Sequence, residues 1–189
     1  MLNFPEVKVI DKVFNFINVL FPKEIEKASK EYQETAEAQF APDKKIYARG
    51  LFSYFMLQRT INGATPMEYA YSLPLDYFSN KERKIIKNFI EHIESIFKIT
   101  HISPNKKDYN LTNLTNNKKY LVKTIDLDLT LKEDQYVKAI LVRKKKGEFF
   151  FYGNILTYTK READKLKRLF IQKAREIPEI EWDIAYKKK

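Results

Sequence analysis

The sequence predicts an α+β fold: an N-terminal helical part, then a small antiparallel SH3-like β-barrel or twisted sheet, then a C-terminal helix. Three observations carry this. From Pro5 to about Phe97 the apolar residues recur at intervals of three and four, the period of an amphipathic helix. Beyond Phe97 the interval becomes two, and β-branched and aromatic residues take over, as in half-buried strands. Thr159 and Glu162 then form the reciprocal cap of a further helix. The expected division is a helical part over 1–97 and a sheet with its C-terminal helix over 98–189, packed as one compact unit.

Each element has its own signal. Val7, Ile10, Val13, Phe14, Ile17 and Leu20 form the first stripe, with Pro5 suited to the opening turn. A second helix starts near Pro22 and runs through Ile25, Ala28, Tyr32 and Ala36. The third, over 43–61, is apolar nearly all round (Leu51, Phe52, Tyr54, Phe55, Met56, Leu57), which marks a central helix. Asn62-Gly63 is expected to end it, because both residues tolerate the left-handed conformation found past helix ends. Thr65-Pro66 opens a short helix, and Ser79 with Glu82 caps another whose stripe runs through Ile85, Ile86, Phe89, Ile90, Ile93 and Phe97. Strands are expected over 97–103, 109–114, 119–126, 135–143 and 148–158. The last two form a hairpin through Lys144-Lys145-Lys146-Gly147, with Gly147 at positive φ, and Gly153 marks a bulge or bend. The final helix carries Ala163, Leu166, Phe170 and Ala174, with Pro178 as its limit and Trp182 expected to pack back onto the body. The sequence shows no repeat of 20 to 50 residues, so a solenoid is not expected.

Composition bounds the chemistry. A chain of 189 residues, 44% apolar and 14% aromatic, can bury roughly 70% of the surface its unfolded form exposes. It has no cysteine, which excludes disulfides, thiolate zinc or iron–sulfur sites and a cysteine nucleophile. Two histidines are too few for a histidine-rich metal cage. Four glycines, at 50, 63, 147 and 153, leave no glycine-rich phosphate loop and no Gly-x-Ser-x-Gly elbow. Charged residues interrupt the first 21 positions, as neither a signal peptide nor a membrane span would allow; a cytoplasmic protein with no membrane partner is the expectation.

A helix Phe52-Ser53-Tyr54-Phe55-Met56-Leu57-Gln58-Arg59 is followed by Gly63-Ala64-Thr65-Pro66-Met67-Glu68, a Ser79-to-Arg83 helix start and a strand at Phe97. Leu141-Val142-Arg143 and Phe151-Tyr152-Gly153-Asn154 come later. Over residues 45–158 this resembles a family of uncharacterised bacterial proteins, some of which carry a cysteine-rich zinc tail like the one ending the SecA translocation motor. The resemblance implies helices joined to a small β-barrel, and no established activity. The tryptophan and aspartate of the family's aromatic helix are missing here, and so is the zinc tail, so no role of that tail carries over.

Candidate site residues are weighed against plainer uses. His92 lies between Glu91, Ile93 and Glu94, but neighbours one or two apart on a helix diverge; His101 reads as a cross-strand or surface residue. Asp126 and Asp128 share one strand face, with Asp134 beyond, at a separation suited to a hard cation. The same run alternates as any half-buried strand does, and Lys123 and Lys132 can neutralise it. No catalytic residue, metal site or cofactor is therefore assigned.

The net charge is +10, from 35 Lys and Arg against 25 Asp and Glu, with +6 of it in residues 101–160. Lysine, isoleucine, asparagine and tyrosine richness is also what AT-rich coding produces. If nucleic acid is bound, Arg143, Lys144, Lys145 and Lys146 are the expected contacts, since four adjacent cations repel one another and a polyanion relieves that. The aromatic run 149–152 could stack bases if one of its faces is exposed. The leading expectation is a non-enzymatic module that binds another protein and shows an exposed apolar patch or a stable oligomer. The alternatives are nucleic-acid binding through the basic hairpin, or an enzyme assembled from dispersed Asp, Glu, Tyr and Lys in a polar pocket.

Overall fold

A computed structural model of the chain describes residues 5–39, 41, 43–74, 76–124 and 130–176, with side chains of the last helix to residue 172. Within these residues the element order begins α1 (Pro5–Leu20), α2 (Glu24–Gln33), α3 (Ala36–Gln39), α4 (Lys44–Leu57), α5 (Pro66–Ser72) and α6 (Asn80–Ile90). It continues with β1 (Ile93–Ile102), β2 (Asp108–Asn113), β3 (Lys119–Lys123), β4 (Tyr136–Lys145), β5 (Glu148–Tyr158) and α7 (Lys160–Glu176). The fold is α+β, as the change of period predicts.

The caps form as expected. Thr65 with Glu68 and Ser79 with Glu82 each make both halves of a capping box, and Thr159 and Glu162 make the same bonds at α7. Asp43 accepts from the Ile46 amide and starts α4.

One core stripe and three boundaries differ from expectation. Val9, not Val7, joins Ile10, Val13 and Ile17 in the core, and Val7 and Leu20 at the ends of the predicted stripe stay exposed. The predicted second helix breaks at Thr35, whose hydroxyl donates to the Tyr32 carbonyl and accepts from the Ala38 amide. Such a side chain offers the backbone an alternative to the helix ladder, and α3 restarts behind it. Helix α4 ends at Leu57, four residues early: the Gln58 and Arg59 amides both reach the Tyr54 carbonyl. Asn62 and Gly63, both at positive φ, instead form the tight turn between the paired residues Ile61 and Ala64, which is the role Asn-Gly fills in two-residue reversals. Finally, the helix-to-strand change comes at Ile93 rather than Phe97. Ile93 and Phe97 are four apart, a spacing that satisfies both periods, and in the structure they share the inner face of β1.

The sheet is mixed rather than wholly antiparallel. Its strands pair in the order β1-β2-β3-β5-β4, and β4 pairs back onto β1, so the sheet closes on itself. A closed ring of five strands cannot alternate direction throughout; one pair has to be parallel, and it is β3 with β5, at Leu121 opposite Glu148 and Val122 opposite Phe149. Among the described residues no helix intervenes between these strands, and the β4–β5 hairpin supplies the return.

Side chains alternate across β4 and β5, and both faces are covered. Val137, Ala139, Leu141 and Phe149 point into the closed sheet with Phe97, Ile99, Tyr109, Leu111 and Val122. Ile140 and Val142 point outward into a second cluster with Val13, Ile17, Phe55, Met56, Ile86 and Phe89 of the helices. The helices and the sheet therefore share β4 and β5 as a common wall.

Candidate functional site

Where the wall meets α2, α3 and α4, the apolar packing gives way to a polar cleft of about 240 Å³. Local chain geometry puts each polar group there. The break at Thr35 turns Glu37 inward. On β1 and β4, Glu94 lies opposite Ile140 and Ile96 opposite Lys138, so Glu94 and Lys138 are diagonal neighbours on one face, within reach of long side chains. On β5, Gly153 has φ +71 and the register against β4 shifts between Lys138 and Ile140. This bulge turns Asn154 toward the helices.

Two glycines make the approach possible. A Cβ on Gly50 would overlap the Tyr32 hydroxyl and stand 2.5 Å from Asn154 Nδ2; one on Gly153 would stand 2.6 Å from Ser53 Oγ. The helix and the bulge thus touch through residues without side chains, which is a standard use of glycine inside an element.

The polar groups are largely paired. Glu37 Oε1 accepts from Asn154 Nδ2 at 3.1 Å and from the Tyr32 hydroxyl at 3.4 Å. Lys138 Nζ is 2.8 Å from Glu94 Oε1 and 3.8 Å from Glu37 Oε2. Gln58 Nε2 donates to Glu94 Oε2 at 3.2 Å, and the buried Ser53 hydroxyl donates to the Gly50 carbonyl. Beside the cleft, Arg59 joins α2 to α4's end: its Nε is 2.7 Å from Glu31 Oε2, and its Nη1 is 2.7 Å from Glu24 Oε2, in an ion contact poorly angled for a hydrogen bond. Tyr54 donates to Glu31 as well.

Proton affinities follow from this pairing. Burial, and then the Glu37 carboxylate, push the Tyr32 phenol well above its ordinary range. Burial alone would lower the Lys138 ammonium, but Glu94 and then Glu37 outweigh it and hold Lys138 above its usual value. A hydrogen bond from Lys27, and then the Arg59 guanidinium beside it, lower Glu24, and hydrogen bonds from Arg59 lower Glu31. The cleft and its rim bring together four carboxylates, of Glu24, Glu31, Glu37 and Glu94, and three cations, of Lys27, Arg59 and Lys138.

The residues singled out from sequence lie elsewhere. Arg143, Lys144, Lys145 and Lys146 are all exposed at the β4–β5 turn, with Arg143 about 17 Å and Lys145 about 23 Å from Lys138 along the strand at the usual rise per residue. Strand β4 continues through Lys145, leaving Lys146-Gly147 as the turn, with Gly147 at φ +80. Glu148 Oε1 is 3.2 Å from both Lys123 and Lys145, and the Arg143 guanidinium lies over the Phe149 ring at 5.8 Å. The aromatic run has no free face for bases. Phe149 and Phe151 pack inside the closed sheet, while Phe150 and Tyr152 pack against Phe89.

His92 sits in the link after α6, with Nδ1 2.8 Å from the Phe89 carbonyl; His101 Nδ1 is 3.0 Å from Glu133 on the surface. Asp134 pairs with Lys98. Asp126, Asp128, Pro178 and Trp182 lie outside the described residues. Among the described residues no three His, Asp or Glu side chains converge to hold a metal ion, and no helix is long and apolar enough to cross a membrane.

Sequence reading missed the cleft, because its polar members come from α2, α3, α4, β1, β4 and β5 and no local spacing links them. One signal was present: Gly50 inside an apolar helix and Gly153-Asn154 inside a strand both announce close backbone approach. Comparison of the chain with family models, curated proteins and solved structures found no match.

Proposed function

We propose that the protein is a non-enzymatic cytoplasmic module that binds another protein, with the helices as the contact surface and the closed sheet, which we read as an SH3-like barrel, as its support. The observation that carries this reading is an apolar corner at the end of α1. Val19 is 80% exposed, Leu20 46% and Tyr77 51%. The half-buried Phe16 ring joins them, 5.6 Å from Tyr77. Exposed apolar side chains grouped on one helix end are what an interaction surface requires.

The test is a double substitution, Val19→Glu with Leu20→Glu. On exposed positions it should leave the melting temperature nearly unchanged while abolishing capture of the wild-type chain's partner, or its self-association, from nuclease-treated lysate. Retention of every partner by the variant would refute the reading.

The hairpin tip favours a second reading, nucleic-acid binding. Lys123, Arg143, Lys144, Lys145 and Lys146 gather there, with Glu148 between Lys123 and Lys145. Backbone contacts of this kind are salt-sensitive. Replacing Lys144, Lys145 and Lys146 with glutamine should weaken binding to DNA or RNA and flatten its salt dependence. An unchanged affinity would remove this reading.

A further inference from the structure

We propose that the cleft between α3, α4 and β4 is a receptor for a primary alkylammonium group. The starting observation is an underused carboxylate oxygen. Glu37 Oε1 is bonded twice, but among the described residues Oε2 has only the Lys138 ammonium, at 3.8 Å, too long for a hydrogen bond. Glu94, in contrast, uses both oxygens, on Lys138 and Gln58. The Glu37 and Glu94 side chains are 22% and 24% exposed, so neither is sealed from a ligand.

Charge selects the class of ligand. Glu37 and Glu94 with Lys138 carry one net negative charge, and a single cation makes the cluster neutral. An anion would have to displace a carboxylate from Lys138.

Geometry selects ammonium over guanidinium. A guanidinium fork is best matched by both oxygens of one carboxylate. Here one oxygen of Glu37 is already occupied, which leaves a place for a point donor.

The walls select an alkyl chain. Ala36, Ile140 and Leu156 line the cleft beside the Tyr32 and Tyr54 rings, which can also face a cation. At about 240 Å³ the space is smaller than drug-sized pockets of ~300–1,000 Å³, and suits one lysine side chain or a short free amine.

Calorimetric titration of the purified chain at low salt tests this, using Nα-acetyl-lysine methylamide, its norleucine counterpart and 1,5-diaminopentane. Saturable binding of the lysine derivative or the diamine, with no binding of the norleucine compound, is the expected result. Binding of the lysine derivative identifies a peptide source; binding of the diamine alone identifies a free amine. Glu37→Gln should weaken the interaction by about tenfold or more, equivalent to ~1.4 kcal/mol, while Glu133→Gln, remote and exposed, should not. If Glu37→Gln does not fold, amide shifts of the Asn154 side chain in the wild-type chain replace it as the readout. Absence of saturable binding by both amines, equal binding of the norleucine compound, or shifts that bypass Asn154 would overturn the proposal.

Discussion

Gly50 is where a single atom matters most. It sits in the middle of α4, where alanine would ordinarily favour the helix by ~1 kcal/mol. In this position the added methyl meets the Tyr32 hydroxyl and Asn154, and overpacking of a filled site costs ~1–3 kcal/mol. The clash outweighs the propensity gain, so Gly50→Ala should lower the denaturation midpoint. It should also move Tyr32 away from Glu37, and near-ultraviolet circular dichroism would report that displacement. An unchanged midpoint would mean that Tyr32 swings aside freely and the cleft is softer than its contacts indicate.

Arg59 offers a second test at this scale. Its guanidinium, ion-paired with Glu24 and hydrogen-bonded to Glu31, helps hold both below the ordinary value of 4.5. A group whose folded value is lowered contributes stability that is present above the unfolded value and lost as the pH falls. The stability gap between the wild-type chain and Arg59→Met should therefore be widest near neutrality and close as the pH drops below 4.5. Urea melts across that range would measure it, and a gap independent of pH would show the Arg59 contribution to be packing alone.

At the scale of elements, the reciprocal caps were the most legible features. Ser79 and Glu82 close α6 through bonds between residues three apart, and everything needed to see them is local. Ser79→Ala should cost ~1 kcal/mol, measurable by denaturation; no loss would mean that α6 is held by Ile86 and Phe89 alone. Boundaries were less legible where two periods coincide, as at Ile93 and Phe97, or where a side chain competes with the helix ladder, as at Thr35. Asn62-Gly63 shows the same limit: positive φ was readable, but whether it caps a helix or reverses the chain depends on Ala64 finding Ile61. The cleft was hardest of all. Lys138 and Glu94 become neighbours only through the β1–β4 register, and Glu37 reaches Asn154 across 117 positions.

The whole molecule turns on β4 and β5 being buried from both sides. Five strands close the sheet and account for its one parallel pair, but closure leaves Ile140, Val142, Phe150 and Tyr152 facing outward. These side chains would be a large apolar surface on an isolated sheet, and the helices cover them. Phe89 is the central contact: it is fully buried, with its ring 5.9 Å from Phe150 and 5.0 Å from Tyr152. Two independently folding parts would lose stability in only one of them when Phe89 is truncated. A shared wall makes the opposite demand, because opening the helices exposes the outer face of the strands that also line the sheet's interior. Phe89→Ala should cost ~3–5 kcal/mol and lower one common transition. Amide exchange at α6 and at the Leu111 and Val122 positions of β2 and β3, far from the truncated ring, should then rise together. Loss of protection in the helices while Leu111 and Val122 keep theirs would show that the sheet stands alone and that the boundary near residue 97 separates two folding units.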